Sequence, residues 1–170
     1  MSIAAVLREL ERENATTRRV LERVPEDRLS WKPHPKSMSL GELAFHVATS
    51  PGYISSNWAL QDVVQVGGGG GDTPKPSSTQ EILAAHDDSV AKTKEALTQL
   101  GDEGLQKPWK AEANGMTVFE MPKAALVRSI VLNHTYHHRG QLSVYLRLLD
   151  VPVPSIYGPS ADENPLAART

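Results

Sequence analysis

The segment from Lys123 to Asp150, KAALVRSIVLNHTYHHRGQLSVYLRLLD, contains no proline and lies between Pro122 and the run Val151-Pro152-Val153-Pro154. Proline is accepted in the first turn of a helix and excluded from its interior, so these flanks permit one long helix and forbid its extension. An isolated helix in water is marginal, so this one must bury an apolar face against neighbours. The rest of the chain supplies three. From Leu7 to Val24, mostly apolar residues, among them Leu10, Thr17 and Leu21, recur on a helical period, and Pro25 ends the run. Ser39-Leu40-Gly41-Glu42 has the form of a capping box and opens a second helix carrying Leu43, His46, Val47, Ser50, Tyr53, Ile54, Trp58 and Leu60, with Pro51 expected to kink or split it. Ser78 to Glu81 repeats the capping pattern ahead of Ile82, His86, Val90, Thr93, Leu97 and Leu100, and Gly101 and Gly104 are expected to close this third helix.

Between these helices the signals are of turns. The five glycines Gly67 to Gly71 read as a loop, because no Gly-Lys-Ser/Thr ending follows and no apolar strand precedes them, as a phosphate cradle requires. Residues 107–121, centred on Asn114-Gly115, fit a loop or a short hairpin. The expectation is an all-α four-helix bundle, residues 1–170 as one domain with a proline-rich tail from about residue 151.

Composition narrows the partners. Eighteen basic against twenty acidic side chains give a formal charge of -2, which offers no electrostatic basis for binding nucleic acid or anionic lipid. A small-molecule partner is expected. No segment has membrane-spanning length and the N-terminus has charges on a helical period rather than a signal-peptide core, so a cytoplasmic protein is expected. The absence of cysteine excludes a thiolate ligand or nucleophile from the chain itself, and any thiol chemistry must use a thiol delivered by the substrate.

Three of the six histidines fall in NHTYHHRGQL. His134 and His138, four apart on a helix, share a face, and their imidazoles can meet at one ion. His137 is rotated by about 100° from His138 and points elsewhere. Extending the His134–His138 face gives Leu126 or Val127, Ile130, Gln141, Tyr145 and Leu148, the stripe expected to be buried. His46 shares a stripe with Leu43, Ser50 and Tyr53 on the second helix. Helices in a bundle lie roughly 8–10 Å apart, a gap that imidazoles from two sides can span through one metal. Three neutral ligands fit a catalytic rather than a closed structural site.

The stretches LSWKPHPKSMSLGELAFHVA, NHTYHHRGQLSVYLRLLDVPVP and SIYGPSADE together resemble the DinB/YfiT superfamily of four-helix-bundle metalloproteins. That resemblance implies an up-down-down-up bundle, a divalent ion, zinc or nickel foremost, on His46, His134 and His138, and a homodimer. For activity it implies transfer of a low-molecular-weight thiol to an electrophile, or isomerase or hydrolase chemistry.

Other residues have two readings each. Glu42 either orients His46 and acts as a base, or completes the cap with Ser39, and the cap is the favoured reading. Gln141 contacts either a metal-bound water or a neighbouring helix. Tyr53 and Tyr145, with Trp58, Tyr136 and Tyr157, line a pocket or fill the core. Gly140 reads as a close-packing position, Arg139 as facing solvent or a partner subunit, Arg128 as a charge at the bundle's edge, His34 as a surface residue, and His86 as core or near the site. Two functions remain. One is a metal-dependent enzyme that activates an exogenous thiol or water. The other is a non-catalytic metal-dependent ligand-binding or stress-response protein.

Overall fold

The computed structural model describes residues 1–67 and 74–167. Gly68 to Gly71, most of the glycine run read as a loop, lie outside them.

The second and third helices begin at the expected caps, Ser39 and Ser78, and the first begins at a cap the sequence reading did not mark. α1 (Ile3–Leu21) opens on Ser2, whose hydroxyl accepts from the Ala5 N–H. It stops before Val24, which packs, buried, in the turn that follows. α2 (Leu40–Ile54) starts with the complete box: Ser39 Oγ accepts from Glu42 N–H at 3.2 Å, and the Glu42 carboxylate accepts from Ser39 N–H at 2.7 Å. Pro51 sits inside α2 without ending it. The disturbance is covered by Ser89 of α3 (Thr79–Leu105), whose hydroxyl takes the Gly52 N–H at 2.8 Å and donates to Thr49 O at 3.3 Å. A π-helical turn, Ser55–Ala59, then extends α2. In α3, Gly101 adopts φ 65°, which breaks the helix as glycine permits, and a further turn resumes through Leu105.

The all-α expectation needs correction, because a three-stranded sheet closes one end of the helices. β2 (Pro108–Ala113) and β3 (Met116–Pro122) form the antiparallel hairpin, turning at Asn114 (φ 50°) and Gly115 (φ 75°), the positive-φ pair a tight hairpin demands. β1 (Val63–Gln65) adds in parallel on the other side of β2, in the order β1-β2-β3. Val64, Trp109 and Ala111 are buried in one core cluster with Leu97 and Leu105 of α3 and with Leu126, Val127 and Leu132 of the last helix. A second core cluster, with Val20, Leu21, Leu43, Val47, Ile82, Leu142 and Leu146, fills the other end.

The last helix is continuous but uneven: α4 (Lys123–Leu126), a π-helical stretch Val127–Asn133, and α5 (His134–Leu148). Its buried line is rotated by one residue from the expected one. Thr135, Arg139, Leu142 and Leu146 face the core, Gln141 and Leu148 are exposed, and His134, His138 and Tyr145 flank the line half-buried. Arg139, expected at solvent or a partner subunit, is 1% exposed. Its charge is met by the Glu13 carboxylate at 2.7 Å, and it also donates to Glu13 O, Thr17 Oγ1 and Tyr157 Oη. Gly140, read as a packing position, is exposed with nothing near its α-carbon's open side.

The tail folds back on the bundle. Asp162 pairs with Arg147 and accepts from Val153 N–H, while Glu163 pairs with Arg19 and accepts from Ser155 N–H. Among the described residues, no helix is long and apolar enough to cross a membrane.

Candidate metal centre

α2 and the start of α5 bring three imidazoles together across 88 residues of sequence. Their Nε2 atoms converge: His134 lies 3.4 Å from His46 and 3.1 Å from His138. Two nitrogens bound at about 2.0–2.1 Å to one tetrahedral ion are about 3.3 Å apart, so the spacing fits a shared divalent metal. Ligating atoms of all three residues lie within 4.8 Å of one another. His137, beside them, is not part of this group; its ring is turned 70° from that of His138 and its side of the helix is exposed.

Electrostatics agrees with the geometry. Desolvation is the main cause lowering the pKa of each ring, assisted at His46 by His138 and at His134 by all three neighbouring histidines. His134 is pulled down to about 4. Near neutrality the trio is therefore uncharged, and imidazole lone pairs are available for ligation. Gln141, though exposed, has a definite place: its side-chain carbonyl accepts from His138 Nδ1 at 2.7 Å. That hydrogen bond puts the proton on Nδ1 and leaves the Nε2 lone pair pointing at the cluster. His134 Nδ1 is buried with no partner among the described residues, so its ring is positioned by packing and by what Nε2 meets.

The remaining candidates divide. Glu42 is held by the cap and lies 3.6 Å from Lys32, and its carboxyl is kept below the usual range chiefly by the Ser39 N–H. It belongs to the start of α2. Tyr145 donates to Met38 O at 3.3 Å, meets Trp31 edge-on, and lines a cleft of about 230 Å³ with His138 and Gln141. Tyr53 turns away: it is 59% exposed and borders a separate cavity of about 310 Å³ with Asn57, Asp88 and Lys92. Gly52, beside it, faces Ser89 of α3 closely, and both line the same cavity. His86 is buried, with neither ring nitrogen hydrogen-bonded among the described residues. Arg128 is an edge charge, paired to Glu9 through two contacts of 2.7 Å.

Two features escaped the sequence. One is the buried Arg139, stacked 5.4 Å from Tyr136 and 5.1 Å from Tyr157, which ties α5 to α1 and to the tail. Tyr136, three residues before it on the same helix, is its nearest local signal. The other is an apolar cavity of about 400 Å³, in which His134 forms a wall opposite residues of the sheet. No pattern in the sequence places β2 and β3 beside His134.

A helical bundle capped by a small sheet, with three histidines from two helices at one point, defines a class of candidate metal-binding bundles. The chain belongs to the DinB family, which it matches over residues 1–166. It is 30% identical over 158 residues, 92% of this chain and 89% of the relative, to the uncharacterized protein YrdA of Bacillus subtilis. A DinB-like protein from Bacillus cereus has a similar structure, with a TM-score of 0.70 and 26% identity over 92% of this chain and 98% of the other. The DinB-like protein YjoA from Bacillus subtilis shares the fold, with a TM-score of 0.65 and 20% identity over 87% of this chain and 95% of that one.

Proposed function

We propose that the protein is a metal-dependent enzyme whose centre, His46, His134 and His138, holds a zinc or nickel ion and acts on a small molecule. The observation that carries this reading is the convergence of three Nε2 atoms at 3.1 and 3.4 Å. When bound, such an ion supplies Lewis acidity to a thiol or a water molecule that enters beside the histidines. The rings stay neutral at pH 7, and Gln141 fixes the tautomer of His138. The favoured reaction is thiol transfer: a C–S bond forms at an electrophilic carbon, the leaving group departs with its electron pair, and the thiol proton passes to solvent. The chain contains no cysteine, so the thiol is a separate small molecule. A cytoplasmic homodimer, binding neither nucleic acid nor membrane, is the setting proposed; the near-balanced charge of -2 supports the last two points.

Substitution of Co(II) tests the reading. Titration with small thiols should produce a sulfur-to-metal charge-transfer band that strengthens as pH rises, because sulfur ligates as thiolate. A spectrum unchanged by every thiol, with metal-dependent ester or amide hydrolysis, transfers the proposal to activated water. One observation favours a second reading, a non-catalytic metal-dependent ligand-binding or stress-response protein: Glu42, the carboxylate nearest in sequence to His46, is engaged by the helix cap and Lys32. Silence in both assays with metal bound would select it.

A further inference from the structure

The sheet, of which the sequence suggested only a possible hairpin, builds a chamber against His134. Trp109 and Ala111 of β2, Phe119 and Met121 of β3, Trp58 from the π-helical turn after α2, and Ile130 from the stretch before α5 enclose about 400 Å³. Apart from the indole N–H groups of Trp58 and Trp109, the latter buried without a partner among the described residues, His134 is the one polar side chain in its wall. Trp58 and Trp109 stack at 6.0 Å with ring planes 28° apart, giving one flank a flat aromatic surface. Phe119 is 60% exposed, so a large apolar ring stands at the rim rather than in the core.

The size and lining select a ligand. An apolar cavity of roughly 150 Å³ is enough to hold a benzene, so this one has room for a bicyclic or substituted ring. Its volume also falls within the range of about 300–1,000 Å³ found for small-molecule sites. A wall with no charged group cannot repay the desolvation of an ionic ligand, whereas an uncharged ring gains contact with two indoles. We propose that this chamber binds the uncharged aromatic or branched-aliphatic body of the substrate, and leaves the substrate's reacting end at His134. The placement rests on the reading of the three histidines as the reacting centre. It adds a substrate class: hydrophobic electrophiles or hydrophobic thiols rather than sugars, nucleotides or small anions.

The test uses N-phenyl-1-naphthylamine, an uncharged fluorescent amine, titrated into the full chain both metal-free and incubated with zinc. Bound zinc is counted separately by elemental analysis. One saturable site per chain is expected, with probe emission rising and tryptophan emission falling by transfer from Trp58 and Trp109. Ala111→Leu, which fills the chamber, should abolish that site. Phe119→Ser, at an exposed position where folding is safe, should weaken it roughly fivefold. Non-saturable binding, or equal affinity in wild type and both variants, overturns the proposal. So does one probe per two chains together with a doubled mass in solution, which makes the face an interface between copies. A chain that takes zinc but no probe removes the apolar site alone. Probe without zinc keeps the apolar site and removes the three-histidine centre.

Discussion

His137 and His138 are adjacent in sequence and about 100° apart around α5, and only His138 points its Nε2 at His134. His138→Ala should therefore lose most metal binding, and His137→Ala should retain it, as measured by competition with a chelating dye. Gln141→Leu leaves all three ligands in place but removes the acceptor on His138 Nδ1, and should weaken metal binding by about 10-fold or more. An unaffected Gln141 variant would mean that packing alone orients the ring. His86 is a histidine with a different fate. Burial is the main cause lowering its pKa below 6.5, only partly opposed by Asp87 and reinforced by Arg18. Below pH 6.5 the unfolded chain takes up a proton that the folded chain resists, so the stability His86 allows at neutrality is lost as pH falls towards its folded pKa. The test is thermal unfolding of wild type and His86→Leu in the same metal state between pH 7.5 and 5. The wild type should lose more in melting temperature over that interval, and parallel curves would remove His86 from the acid sensitivity.

At the scale of elements, sequence reading did best where a short local rule decides the outcome. Ser39 and Ser78 cap their helices, Asn114-Gly115 turns a hairpin, and the i,i+4 pair meets on one face. It failed where a distant partner decides. β1 has three residues and exists by pairing with β2, more than forty positions later. The buried line of α5 was misjudged because Arg139 looks like a solvent residue until Glu13 neutralises it, and the π-helical stretch before α5 displaces the period on which the stripe was counted. Gly52 shows the same limit, since its importance is visible only across the α2–α3 crossing. A Cβ there would lie 2.8 Å from Ser89 Cα and 2.9 Å from Ser89 O, both backbone atoms that cannot rotate away. Gly52→Ala should cost about 1–3 kcal/mol by overpacking. Gly140→Ala, with nothing within 4 Å, should be neutral or gain up to about 1 kcal/mol from helix propensity. Urea unfolding of the two variants checks the contrast, and equal effects would deny the close approach.

On the scale of the whole molecule, the three histidines connect α2 to α5, elements far apart in the chain that already share the cluster of Leu43, Val47, Leu142 and Leu146. An ion held by all three binds only the folded arrangement, because the unfolded chain does not keep His46 beside residues 88 positions away. Binding to the native state alone adds about 2.7 kcal/mol when free metal is at 100 times its dissociation constant. For a chain of 170 residues, each 1 kcal/mol corresponds to roughly 2–4 °C, so saturating zinc or nickel should raise the melting temperature by about 5–10 °C. His46→Ala removes the ligand on α2 and should abolish most of that increment while leaving the metal-free melting temperature close to wild type, since His46 is only half-buried and desolvation disfavours its charged form. If instead His46→Ala keeps the full increment, the ion is held on α5 by His134 and His138 alone, and the metal does not cross-link the bundle.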